Sequence, residues 1–480
     1  IGEEFLKHFG IIPNTPLAYA HTMVDYVPLA MEYGKLGGID YTSTLIKAIR
    51  SERGDDKVLL LDGGDTWQGS YTSLKTQGDD MVEVMRALGT EAMVGHWEFT
   101  FGQERLKELI DKLEYPFLGG NVFDTEWDEP VFESTAFFEK GGVSIAVIGQ
   151  HFPYTPIANP SYMVKGWSFG IRPKVLQKNV NEAKKQGAEI IVLLSHNGFD
   201  VDQKLAAMID GIDVILTGHT HDAIPKGIRI KETLLLSSGS HGKYLGRVDL
   251  KVKNGKVVDT SSNLIPVFSD VISPDKEMTN LINKIRSPYE KECSRVIGET
   301  ETLLYRRGNF NGSWDDVICD TIMQERDTEI SLSPGFRWGT TLLPGQKITI
   351  DDIYAQTSMN YPEVYRIEMT GKMIKELLED VCDNIFNPDP FFQQGGDMVR
   401  VGGLTYTCHP KNKMGKRISN LKIVSSDKPL ESSKKYVVGG WGSVNPNVKG
   451  PAIYSLLENY ISRKKIIKSS NLETVKIVGM

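Results

Sequence analysis

Ile212-Asp213-Val214-Ile215-Leu216-Thr217-Gly218-His219-Thr220-His221 (residues 212–221) decides how this chain folds. Its opening is a short apolar run of the kind that fits a buried strand. Gly218 removes bulk, and two histidines follow with one residue between them. On an extended segment side chains alternate with period two, so His219 and His221 are expected on one face. A His-x-His pair alone is a weak signal, because many such surface pairs do nothing. At a buried strand end it becomes a candidate metal site.

The same construction recurs upstream. Lys57–Asp62 is an apolar run that turns through Gly63-Gly64 into Asp65. His196 follows the run Ile190–Leu194, and His96 stands in Gly95-His96-Trp97-Glu98-Phe99-Thr100. Each residue alone has a bland reading: Asp65 can cap a turn, and His196 can be a satisfied core histidine. Asp65, His96, His196, His219 and His221 together, past the ends of apolar strands, are hard to obtain by accident. In open α/β sheets that edge is where ligands bind. Nitrogen and oxygen donors without thiolate suit divalent ions such as Mn²⁺, Fe²⁺ or Zn²⁺. A pair of ions ~3.5–4 Å apart would activate a bridging water and clamp an anionic substrate.

Outward from these runs, residues 1–265 alternate strand-like segments with amphipathic ones (Tyr41–Glu52, Gln103–Leu113, Pro173–Gln186), which predicts an α/β layered domain. Residues 266–297 are expected to form a helical linker. Residues 298–480 carry strand signals at 347–350, 365–369 and 435–438 and helix signals at 371–382 and 450–461, which predicts a second, smaller α+β domain.

Composition excludes several classes. The 480 residues are 40% apolar and 24% charged, as in an ordinary soluble globular protein. A net charge of −7 without a long Lys/Arg stripe argues against a nucleic-acid partner. The basic run Arg463–Lys468 reads as the solvated face of a C-terminal helix. No apolar run approaches the ~20 residues that span a bilayer, so no membrane span is expected. Cys293, Cys319, Cys382 and Cys408 are scattered with no CxxC, so a zinc ribbon has no support. They read as buried or free thiols, and no disulfide pairing follows from spacing. Ile1 is not an initiator methionine, which points to a processed form or a fragment.

In this order, GGDTWQGS (63–70), GHWEF (95–99), SHNG (195–198) and GHTHD (218–222) resemble the calcineurin-like metallophosphoesterases. More narrowly they resemble the two-domain 5′-nucleotidase superfamily. Pro334–Arg337, Pro344–Thr349, Val364–Leu378, Gly395–Arg400 and Gly403–Tyr406 are similar to that superfamily's substrate-binding domain, so the resemblance covers nearly the whole chain. It implies a four-layer α-β-β-α sandwich over 1–265 and a 5′-nucleotidase C-terminal-like domain over 298–480.

Where nucleotidases carry Gly-Asn-His-Glu, this chain has Gly95-His96-Trp97-Glu98. The resemblance implies that His96 takes the asparagine's place as ligand. Trp97 takes the place of the histidine that assists the leaving group, and indole cannot shuttle a proton because it only donates a hydrogen bond. Here, in GGDTWQGS and in the leading segment 1–22, the chain is similar to the thiosulfohydrolases of the bacterial Sox sulfur-oxidation system. That family implies two divalent ions, expected to be Mn²⁺, and action in the periplasm. It also implies a SoxYZ-like sulfur-carrier protein, whose cysteine-bearing C-terminal tail carries a thiosulfonate that is hydrolysed to release sulfate in thiosulfate oxidation. A persulfide leaves more readily than an alkoxide because its conjugate acid is stronger, so a general acid at residue 97 matters less.

In the second domain Arg337 matches the superfamily's anion-binding arginine. Arg337, Trp97 and Asp397 are the candidate catalytic residues. Tyr361, Asp397, Arg400 and His241, with Arg337, are candidates to line the substrate path. The superfamily's first metal motif, Asp-x-His, lies upstream of the region matching Ile1, and His21 is no substitute because no Asp stands two residues before it. A longer natural chain is expected. Two other readings compete: a 5′-nucleotidase or 2′,3′-cyclic-nucleotide phosphodiesterase, and a non-catalytic binding module that kept the fold.

Overall fold

A computed structural model of the chain describes residues 2–336, 339–469 and 473–479. Two compact units emerge. The first runs to Gln68 and from Thr76 to Ser287, and the second joins Gly69–Lys75 to the chain from Pro288 onward.

Eight strands of the first unit position the site: β1 (Leu61–Asp62), β2 (Ala92–Met93), β3 (Thr135–Lys140), β4 (Val143–Gln150), β5 (Ile190–Ser195), β6 (Val214–Thr217), β7 (Ile228–Ile230) and β8 (Thr233–Ser237). Six of them form one sheet in the order β3-β4-β5-β6-β8-β7. β4, β5, β6 and β8 run parallel, with β3 and β7 antiparallel at the edges. The central strands are parallel and buried, hence their unbroken Ile/Val/Leu runs. β1 and β2 pair in parallel beside this sheet.

Layers follow from which side chains share a core. Val147, Ile190, Val192, Leu194 and Val214 of the large sheet pack with Ala92, Leu59 and Leu61 and with Val248, Leu250 and Val257 of the hairpin 244–266. That is sheet against sheet. Leu60 and Leu245 pack with helices α1 (Ile39–Arg53), α2 (Asp79–Leu88) and α5 (Lys276–Arg286). Helices α3 (Pro173–Lys185) and α4 (Phe199–Met208) stand against strands of the large sheet. α3 buries Leu176, Val180 and Ala183, a helical stripe, and starts with proline at its first position, where no N–H is needed. The result is the expected mixed α/β arrangement of two helical layers around two sheets.

The stretch read as a linker, 266–297, is shared between the units. α5, capped by Asp275 accepting the Met278 N–H at 2.9 Å, buries Met278 against Ile46, Val84, Met85 and Leu88. The short helix Glu290–Cys293 lies in the second unit.

The second unit is α+β, with four-, four- and three-stranded sheets. Helix α6 (Ser313–Arg326) buries Trp314, Val317, Ile318 and Ile322. Helix α7 (Gly371–Phe386) turns Ile374, Leu378 and Cys382 into a core with Ile330, Leu404, Tyr406, Cys408 and Ile418. The helix expected at 450–461 is Ile453–Lys464. Among the described residues no helix is long and apolar enough to cross a membrane. All four cysteines are buried and unbridged.

Candidate metal centre

Parallel strand ends deliver the site. β1 and β2 are in register, and Asp65 and His96 each stand three residues beyond them. β5 and β6 are in register too; His196 immediately follows β5, and His219 is two residues past β6. One donor atom each from Asp65, His96, His196 and His219 lies within 4.8 Å of all the others. Asp65 Oδ2 is 3.1 Å from His196 Nε2, and Asp65 Oδ1 is 3.2 Å from His96 Nδ1.

The turn into Asp65 depends on Gly64, whose φ is +85° and where a Cβ would sit 2.7 Å from the Val94 carbonyl. Asp65 itself has φ +62°. The His-x-His segment is not extended as its spacing suggested: φ is +74° at His219 and +57° at His221. The Thr220 N–H bonds the Gly218 carbonyl at 3.0 Å, making a tight three-residue turn around His219. Hence the two histidines part: His219 joins the cluster, while His221 faces His241, their ring centroids 5.8 Å apart. His241 also has φ > 0, at +61°. Left-handed backbone at non-glycine residues is costly and gathers at functional sites.

The donor set fits a divalent ion. His196 commits Nδ1 to the Gly63 carbonyl at 2.5 Å, so Nε2 is the nitrogen presented to Asp65. His96 Nε2 is buried without a hydrogen-bond partner. Burial disfavours the Asp65 carboxylate, but the charges of His196 and His96 hold its carboxyl well below the usual range. Burial pulls His96 down, against the pull of Asp65. Burial opposes the charge on His196 too, yet Asp65 drives that histidine up to about 9. Such a concentration of donors is what a cation would relieve.

Sequence reasoning missed the residues that hold the donors in place. Buried Glu98 accepts backbone N–H groups from Asp65 (3.3 Å), Thr66 (2.6 Å) and His96 (2.8 Å). Burial, then the Asp65 charge, pushes its carboxyl up to about 7 against those bonds. His151 Nδ1 accepts the Gly95 N–H at 2.8 Å. Phe152 stacks on His219, centroids 4.0 Å apart, and lies 4.2 Å from the ring of His96. Asp202 takes bonds from Ser195, Asn197 and Thr217 and so braces the ends of β5 and β6. The one signal for Glu98 was its place directly after His96-Trp97.

Residues 296–442 match the 5′-nucleotidase C-terminal domain family. Snake venom 5′-nucleotidase from Gloydius brevicauda is 23% identical over 83% of this chain and 74% of its own. A 5′-nucleotidase precursor from Thermus thermophilus shares the fold at a TM-score of 0.80, with 20% identity over 93% of this chain and 94% of that one. The sulfate thiohydrolase SoxB of Thermus thermophilus, solved with glycerol, is 35% identical across 100% of this chain and 90% of that one, with a TM-score of 0.96. The chain belongs to the SoxB family of thiohydrolases. It is a metal-dependent hydrolase of the 5′-nucleotidase superfamily, with a metallophosphoesterase-type first domain.

In this SoxB-family chain Trp97 is buried, with its ring 5.6 Å from that of His96. Its backbone N–H donates to Asp65 Oδ1 at 3.0 Å. In the second unit Arg337 lies outside the described residues. Tyr361 is buried. Asp397 and Arg400 do not line a path as the sequence suggested. Their side chains are 1% and 0% exposed, and Arg400 Nη2 stands 3.2 Å from Asp397 Oδ2. Arg400 Nε also pairs with Asp315 at 3.2 Å, and Asp315 binds Arg306 at 2.7 Å. Arg306 in turn donates to the carbonyls of Gln356 and Pro334. Two arginines balanced by two aspartates thus tie the segments around 306–308, 334, 356 and 397 together, with the side chains of Asp397 and Arg400 buried in that network.

Proposed function

We propose that this chain hydrolyses a cysteine S-thiosulfonate on the tail of a SoxYZ-like carrier protein in the periplasm, releasing sulfate. The observation that carries the reading is Trp97 beside the Asp65–His96–His196–His219 cluster. Asp65, His96, His196 and His219 would hold one ion, and Asp65 with His221 would contribute to a second, both manganese. When bound, such ions lower the pKa of a water and neutralise the sulfonate oxygens.

The chain's own residues supply the rest. The oxygen of water bonds to the sulfonate sulfur, that sulfur's bond to the next sulfur breaks, and the carrier keeps a persulfide. Trp97 closes the leaving-group side without donating a proton, which a persulfide anion tolerates and a ribose alkoxide does not. Arg337 pairs with the sulfonate, whose three oxygens suit a planar guanidinium. His241 flanks the carrier's tail.

The test compares sulfate release from a cysteine S-thiosulfonate on a Gly-Gly-tailed peptide with phosphate release from a nucleoside monophosphate, using full-length protein loaded with Mn²⁺. Sulfate without phosphate is expected. Phosphate without sulfate would establish the nucleotidase alternative, and neither product would point to a binding role.

A further inference from the structure

Cys382, near the end of α7, and Cys408, closing the strand Leu404–Cys408, bring their sulfurs to 3.7 Å. Both are 0% exposed, in a core that includes Ile374, Leu378, Tyr406 and Ile418. Cys319 instead bonds to Ser331, and Cys293 is buried at the helix Glu290–Cys293. Two thiols in contact in an apolar core are one side-chain adjustment from the ~2.05 Å of a disulfide.

We propose that Cys382 and Cys408 are joined by a disulfide when this protein folds under oxidising conditions. The bond would link positions 26 apart in sequence, and the stretch between them contains the glycine-rich segment with Asp397 and Arg400. It would fasten α7 to the sheet at both ends of that stretch. The inference is independent of the metal centre and of the substrate.

The chemistry is thiol–disulfide exchange with a disulfide oxidant, RSSR. One cysteine thiolate attacks RSSR, forming a mixed disulfide and expelling RS⁻. The second cysteine attacks the protein sulfur of that mixed disulfide and expels a second RS⁻. Two electrons pass from the cysteines to RSSR, and the two thiol protons end on two RSH. Because both sulfurs are buried in the folded chain, the exchange belongs to folding, before α7 closes over the strand.

The experiment refolds reduced, denatured full-length protein in excess oxidised glutathione. The protein is then denatured in N-ethylmaleimide and its peptides are weighed. The Cys382 and Cys408 peptides are expected as one cross-linked species, two hydrogens lighter than their sum, with Cys293 and Cys319 alkylated. Alkylation of Cys382 and Cys408, glutathione retained on either, or cross-links through Cys293 or Cys319 would overturn the proposal. As a second readout, the oxidised protein should melt roughly 5–10 °C above the same protein in reductant. Equal melting of the two forms would count against it.

Discussion

Glu98 fixes Asp65 through its backbone: the buried Glu98 Oε2 accepts the Asp65 N–H at 3.3 Å and the His96 N–H at 2.8 Å. One carboxylate thus ties together the two loops that leave β1 and β2. Glu98→Gln keeps the volume but turns an NH₂ group toward amide donors. Metal affinity should fall by about 10- to 100-fold, as for other residues that orient ligands without touching the ion. Chelator competition measures this, and unchanged affinity would show that Glu98 does not position the donors.

Trp97→His restores the nucleotidase residue at the leaving-group position. General acid catalysis contributes about 10²–10⁴-fold where it is needed. Phosphate release from a nucleoside monophosphate should rise by at least about tenfold, while sulfate release stays within a few-fold. Parallel changes in both activities would remove the leaving-group argument.

Arg337→Ala tests the anion contact. A hydrogen bond to a charged group is worth about 1.5–3 kcal/mol, so kcat/KM for the thiosulfonate should drop by about 10- to 150-fold with the melting temperature unchanged. A loss of stability without a specific loss of turnover would assign Arg337 to structure.

Asp315 balances two buried arginines, Arg306 at 2.7 Å and Arg400 at 3.2 Å. Asp315→Ala leaves Arg306 uncompensated and Arg400 with Asp397 as its remaining carboxylate, and should cost about 3–5 kcal/mol. Denaturant unfolding of the second unit would show it. An unchanged midpoint would mean that Asp397 alone suffices to balance the two arginines.

Asp202 gives a pH signature. Burial outweighs the bonds from Thr217, Ser195 and Asn197 and pushes its carboxyl up to about 6. An unfolded Asp titrates near 3.9, so between about pH 4 and 6 the native state holds the extra proton. Stability should therefore fall as pH rises through that window. Asp202→Asn should flatten the slope there, as read from unfolding free energies at several pH values. A slope identical to that of the unmutated protein would exclude Asp202 as its source.

The strand-end ligands were legible because β5 and β6 are buried on both faces and so appear as unbroken apolar runs with polar tips. The His219–His221 geometry was not, since period-two reasoning assumes an extended backbone and the turn at His219 is left-handed. Glu98 escaped notice because its partners are backbone N–H groups, those of Asp65 and Thr66 some thirty residues earlier, which leave no trace in side-chain pattern. Arg400 and Asp397 were read as binding residues because the stretch Gly395–Arg400 resembles the superfamily's substrate-binding domain. Their burial depends on Asp315, brought in from α6. The stretch 266–297 looked like one connector, yet α5 within it carries an apolar face of its own and packs into the first unit.

The bond from His196 to the carbonyl of Gly63 joins residues 133 positions apart. During synthesis, then, Asp65 and His96 emerge long before they have anything to hold, and the fourth donor arrives only with His219. Contacts of such wide separation form late, after the intervening chain has been ordered. The candidate donors are thus complete only once synthesis has passed His219, and a half-made chain has little to offer a passing metal.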